Sequence, residues 1–280
     1  MIKSQIKCFV KTWDERKDKL EDWEKKLGGT EMIFLTGDCH GDYRKLSTQT
    51  FKVQKEMDRN DYLIVLGDFG YWHDNQEETY WLNWLAEKDF TILWVDGNHE
   101  NFDRLGKLPV HQWHGGKVHF IRDNVIHLMR GQMFSLNGKR FFTFGGARSH
   151  DIQDGILERN ENDPNFLKKW RELEEVGARF RINHLTWWKE ELPSPEEYEE
   201  GRVCLEKNNW KCDYILSHCA PTSILGHLFS GSMKKDELTD YFEGIKNRCK
   251  YKRWYFGHYH ADEIIDERHR VLYHDILRIV

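Results

Sequence analysis

"LWVDGNHENF", residues Leu93 to Phe102, decides the fold, because an apolar run stops abruptly at Asp96, Gly97, Asn98, His99 and Glu100. Polar groups beside a core are costly unless something satisfies them, so the stretch reads as a buried strand whose end carries a site. The pattern recurs in "MIFLTGD" (Met32 to Asp38), "YLIVLGD" (Tyr62 to Asp68), "YILSH" (Tyr214 to His218) and "RWYFGH" (Arg253 to His258). Each joins β-branched or aromatic residues to a small residue and then to a side chain that can bind a metal.

The segments between the first three strands are helix-length. In "NQEETYWLNWLAEKD" (Asn75 to Asp89), Tyr80, Trp81, Trp84 and Leu85 are read as one face. Strands alternating with helices predict an α/β fold with parallel pairing, and open sheets of that kind hold ligands beyond the carboxyl ends of their strands. From Gly115 to Arg148 the texture becomes short strands with turns, and Asn137-Gly138 is a strong hairpin signal. This region is expected to form a second, partly antiparallel sheet packed on the first.

The 280 residues are expected to form one domain, residues 1–280, with additions. One addition is an N-terminal helix at about 9–27, ended by Gly28-Gly29. The other is a helical insertion at about 154–209, with one helix over Asp163 to Phe180 and another starting in "LPSPEEYEEG" (Leu192 to Gly201).

Charged residues make up 32% and hydrophobic residues 39%, which excludes a disordered chain. No apolar stretch approaches the ~20 residues that cross a bilayer, and the N-terminus lacks the apolar core of a secretion signal. Six cysteines without C-x-x-C spacing predict free thiols, and a cytoplasmic location is expected. The formal charge of −5 gives nucleic acid no electrostatic help but does not exclude it.

The strand ends collect Asp38 and His40 from "GDCHG", Asp68 from "GDFG", Asn98 and His99 from "GNHE", His218 from "SHCAP", and His258 with His260 from "GHYH". In an extended backbone residues i and i+2 point the same way, so Asp38 is paired with His40 and His258 with His260, leaving Cys39 and Tyr259 facing away. Carboxylate, imidazole and amide without thiolate suit Mn²⁺, Fe or Zn²⁺ in an open site. Seven ligands are too many for one ion, whereas two ions about 3.5–4 Å apart would use them all.

These five motifs, in this order from about Met32 to His260, resemble the calcineurin-like metallophosphoesterases, most nearly a bacterial and phage branch. The resemblance implies a four-layer α/β/β/α sandwich of two mixed β-sheets flanked by helices. It implies that Asp38, His40, Asp68 and His260 bind one divalent metal, Asp68, Asn98, His218 and His258 the other, with Asp68 as the bridge. It assigns His99 to the leaving group, and a hydroxide bridging two ions, Mn²⁺ first among the choices, to attack on a phosphate mono- or diester.

Phosphoprotein phosphatases of this superfamily continue the second motif as G-D-x-V-D-R-G, and the clamping Arg is here Trp72. Arg148 in "GGARSHD" and Arg104 after "GNHENFD" are the substitutes considered for the substrate phosphate. The missing Arg turns the expected substrate toward a small nucleotide or an exposed phosphodiester, with a nuclease or a non-catalytic scaffold as alternatives. Lone histidines such as His111, His114, His119, His127 and His184 read as packed or surface residues, while His73 and His150 stay open. Cys39 reads as an oxidation liability, and Trp187-Trp188 as core packing or the wall of a groove.

Overall fold

A computed structural model describes residues 31–160, 162–229 and 235–280, so the expected helix at 9–27 lies outside the described residues. Two mixed sheets dominate. The first comprises β1 (Ile33–Thr36), β2 (Tyr62–Leu66), β3 (Thr91–Val95), β4 (His111–Trp113), β5 (Gly116–Arg122), β6 (Val125–Leu128) and β15 (Leu277–Arg278), in the order β15-β1-β2-β3-β6-β5-β4. The second comprises β7 (Gln132–Leu136), β8 (Lys139–Phe144), β11 (Tyr214–Ser217), β12 (Arg253–Phe256), β13 (Glu263–Ile264) and β14 (His269–Val271), in the order β13-β14-β12-β11-β8-β7. A two-stranded pair, β9 (Ile156–Leu157) with β10 (Arg181–Ile182), stands apart from both.

Alternation along the strands makes the layers. Ile33, Leu35, Ile64, Leu66, Leu93 and Val95 meet Phe134, Phe141, Leu216 and Tyr255 in the core between the sheets. The intervening Phe34, Leu63, Val65, Ile92 and Trp94 pack on Leu82 and Leu85 of the helix Gln76–Ala86. On the far side Phe142, Phe144, Ile215, Trp254 and Phe256 pack on Leu205, Leu225, Leu238, Phe242 and Ile245 of three further helices. Helix, sheet, sheet, helix is therefore the stacking order that the resemblance implied.

Three expectations need correction. The strands β4, β5 and β6 extend the first sheet through β3·β6 parallel pairing, and only β7 and β8 belong to the second. Periodicity marks a strand but not its partner. The link between β1 and β2 holds two short 3₁₀ turns, Arg44–Leu46 and Lys52–Glu56, rather than an α-helix. In the helix Gln76–Ala86 the buried face is Glu78, Leu82 and Leu85, at spacings of four and three, so Tyr80 stands exposed while Trp81 and Trp84 are half-buried.

The Asn137-Gly138 signal is realised: β7 and β8 pair antiparallel with both turn residues left-handed, at φ 47° and 63°. The insertion contains the helices Pro164–Glu175 and Pro195–Lys207, the first ending before the expected Phe180, together with β9 and β10. Among the described residues no helix is long and apolar enough to cross a membrane.

Candidate metal centre

The parallel strands β1, β2 and β3 end at one edge of the first sheet, and β8, β11 and β12 end beside them in the second. Their last residues hand over to Asp38, Asp68, Asn98, His218 and His258, which therefore meet where the two sheets adjoin. Donor atoms of Asp38, His40 and His260 all lie within 4.8 Å of one another, and so do those of Asp68, His218 and His258. Asp68 Oδ1 lies 3.3 Å from His218 Nε2 in the second group, and its Oδ2 lies 3.7 Å from His40 Nε2 in the first.

The backbone does not deliver these side chains by extended alternation. His40, Asp68, His258 and His260 are all left-handed, at φ 49°, 45°, 69° and 48°. Such strain, about 1–3 kcal/mol per residue, persists where surrounding structure enforces it and concentrates at functional sites. Here the Asp68 carbonyl accepts from the amides of Cys39 and His40 at 2.9 and 2.7 Å, and Asp38 Oδ1 accepts from the His258 amide at 2.9 Å. The turns also correct the i and i+2 pairing, because His258 and His260 point into different groups while Asp38 and His40 share one.

Gly97 is needed for close approach rather than for an unusual turn. A Cβ there would stand 2.0 Å from Asp68 Oδ1.

The donor set fits cations. Asp38 Oδ2 is buried with no hydrogen-bond partner, although His260 Nε2 is 3.2 Å away. His40 Nε2 and His260 Nε2 approach to 3.0 Å, so a proton bridging them leaves neither nitrogen with a proton to donate to the neighbouring carboxylates. His218 Nδ1 donates to the Leu66 carbonyl at 2.7 Å, which turns its Nε2 toward Asp68 as a metal-binding imidazole requires. Burial acts to lower the His218 pKa, but Asp68 and Asp38 outweigh it and carry the value up to about 9. Cation-seeking charge is built into the site.

Asn98 is held by Ser149, whose hydroxyl accepts from Asn98 Nδ2 at 3.2 Å and donates to buried Glu191 at 2.5 Å. That leaves Asn98 Oδ1 facing the second group, 3.3 Å from His218 Nε2. His99 sits outside both groups. Its amide donates to Asp68 Oδ1 at 2.8 Å, and its ring stacks on Trp72 with centroids 5.1 Å apart. Burial lowers the His99 pKa while Asp68 opposes the shift.

The two arginine substitutes fare differently. Arg104 is committed elsewhere, bonded to Glu78 at 2.6 Å and Asp74 at 3.2 Å with its guanidinium over Tyr71, so it is not free to clamp a phosphate. Arg148 is exposed beside Ser149 and His150 and forms no ion pair among the described residues. A cation missed from sequence acts on His99: Arg181 of β10, which is paired with Asp151 and borders the same cleft as His40 and His99. Its two-residue strand carries no periodic signal.

His150 also enters the site, with Nε2 2.8 Å from His258 Nε2. Trp188 is buried, donates to Asp103 at 2.8 Å and meets Trp72 edge-on at 5.6 Å, so the core reading holds for it. Cys39 is buried, and burial pushes its thiol up to about 11, which disfavours the thiolate. Of the histidines read as packed or surface, His111, His114 and His184 are exposed, while His119 and His127 are buried and pair at 3.1 Å, with His127 3.2 Å from Asp96, which Arg130 also holds.

The family model for calcineurin-like phosphoesterases matches residues 32–262. No match to a curated protein was found. Two mixed sheets with their helices, two Asp/His groups at the strand ends and a family match over most of the length agree: this chain belongs to the calcineurin-like phosphoesterases, a family of metal-dependent phosphoester hydrolases.

Proposed function

We propose that the protein hydrolyses a phosphate mono- or diester at a dinuclear centre in which Asp38, His40 and His260 hold one divalent ion, Asn98, His218 and His258 the other, and Asp68 both. The observation that carries the reading is the position of Asp68, with one oxygen toward each group. Oxygen and imidazole donors without thiolate suit Mn²⁺, Fe or Zn²⁺, and Mn²⁺ is the first choice in this reading. When bound, the ions supply charge that polarises the phosphoryl group and acidifies water.

The chain's own residues do the rest. His99, held off the metal-binding groups by its stacking on Trp72, faces the departing alcohol and provides its proton or hydrogen bond. Arg181 places positive charge beside it, while its pairing with Asp151 keeps the guanidinium fixed. Arg148 remains the second phosphate contact in this reading, being exposed next to the Ser149 that anchors Asn98. The free thiols among the described cysteines fit a cytoplasmic location.

The test is hydrolysis of 4-nitrophenyl phosphate and bis(4-nitrophenyl) phosphate by protein loaded in turn with Mn²⁺, Zn²⁺ and Fe²⁺. Activity on at least one ester, abolished by chelation and restored by metal, is expected. No turnover with any ion sinks the proposal, and little or no metal on elemental analysis would point to the scaffold alternative.

A further result is expected from Ser149→Ala, which removes the hydroxyl tying Asn98 to Glu191 while leaving every proposed ligand side chain in place. Loss of such outer support typically weakens metal affinity about 10–100-fold. Calorimetric titration with Mn²⁺ measures it, and an unchanged affinity would show that Ser149 does not support the centre through Asn98.

A further inference from the structure

Beside the metal-binding groups opens a cleft of about 450 Å³, within the ordinary range for a small-molecule site. His40, Gly41, Gly70 and His99 border it at the metal end. Trp81, Tyr43, Arg181, Thr186 and Trp72, which stacks on His99, also line it. His99, assigned to the departing alcohol, thus forms part of the cleft lining.

Three features define what would fill it. The walls are aromatic: Trp81 and Trp72 are half-buried, so each keeps surface for a ring to cover. Tyr43 is 1% exposed and its hydroxyl is buried with no hydrogen-bond partner, an unmet polar group in a cleft wall. The mouth is polar and acidic: Glu77 and the His73 ring are exposed, and neither side chain has a hydrogen-bond partner among the described residues. Glu78 is already satisfied, by Arg104 and by the backbone amides of Trp72, His73 and Asp74.

Aromatic walls select a flat ring, and an unpaired carboxylate selects a ring that donates hydrogen bonds. The same carboxylate repels further phosphates, which disfavours a polynucleotide or polyphosphate chain in this direction. We infer that the cleft binds the leaving group of the substrate as a neutral nucleoside, its base against Trp81 and Trp72 and its exocyclic donors toward Glu77. The inference rests on the phosphoesterase reading for the identity of that ligand as a leaving group. The binding itself can be tested without turnover.

The probe is adenosine, with glycerol as a ring-free neutral alcohol for comparison. Saturation-transfer NMR on the full chain should show transfer to the adenine protons and none to glycerol, with a dissociation constant on the order of 1 mM for a fragment of this size. Trp81→Leu, which stays apolar but loses the ring, should weaken adenosine at least tenfold. Trp81→Phe should keep it within threefold, and Glu77→Gln should weaken it several-fold.

No transfer to adenosine in the unaltered chain overturns the inference, and this arm does not depend on any variant folding. Equal binding by the Leu and Phe variants overturns it as well. The two readings fail separately: ester hydrolysis without adenosine binding removes the nucleoside cleft and leaves the phosphoesterase. Adenosine binding without hydrolysis of any ester removes the phosphoesterase and leaves the cleft.

Discussion

Replacing Asp68 by Ala or Asn should lower ester hydrolysis by at least about 10³-fold, the upper part of the range for deleting one pre-organised electrostatic group. Asp68 is buried, and its two oxygens lie 3.7 and 3.3 Å from His40 and His218, one in each candidate metal-binding group. Asn is the more informative change. It keeps the volume and the oxygen that accepts from the His99 amide, yet removes the charge that holds His218 protonated up to about 9. Without that charge the His218 pKa falls, because only Asp38 and the Leu66 carbonyl still oppose burial. Elemental analysis should find clearly less than the two equivalents of metal expected for the unaltered protein, with an unchanged circular dichroism spectrum. An Asn variant within tenfold of full activity would overturn the assignment of Asp68 as the shared ligand.

Glu100→Ala should produce the largest loss of stability among single changes near the site. Glu100 is fully buried, and its carboxyl oxygens accept from the amides of Phe69, Gly70 and Tyr71 at 2.7, 3.3 and 3.1 Å. Those amides belong to the turn that follows Asp68. Alanine leaves three buried N–H groups without partners, at about 1–3 kcal/mol each before the loop relaxes. A net loss of about 3–5 kcal/mol lowers the melting temperature by on the order of 10 °C in a chain of this size. Glu100→Gln, which keeps an acceptor oxygen but adds two donors, should fall between. Thermal melts followed by circular dichroism decide the matter, and an alanine variant melting within 2 °C of the parent would show that water or rearrangement satisfies the turn.

The strand-end motifs were legible because each is local: an apolar run that ends in a metal-capable side chain needs no knowledge of its neighbours. Asp38, His40, Asp68, Asn98, His218, His258 and His260 could therefore be collected before any contact was seen, and the structure brings all seven to one edge. Sheet membership was not legible, since β4 to β6 have the same hairpin texture as β7 and β8 but join a different sheet. Nor were the left-handed turns at four of the seven residues, which arise from tertiary hydrogen bonds rather than local preference. Arg104 looked available because nothing local reveals that Glu78, 26 residues earlier, would bond it. Arg181 was invisible for the converse reason, lying on a two-residue strand whose partner, β9, is equally short.

Pairing of β1 with β15 sets Phe34 against Arg278 and Leu35 against Leu277. β1 leads directly into Asp38, and its other neighbour is β2. During synthesis one side of β1 therefore presents unpaired amides and carbonyls until nearly all the described sequence has left the ribosome. An open edge of that kind recruits other strands, and closing so long a loop is slow. A chain stopped short of Leu277 would keep the whole ligand set and still carry this exposed border, so premature termination should yield clumping rather than a smaller working enzyme.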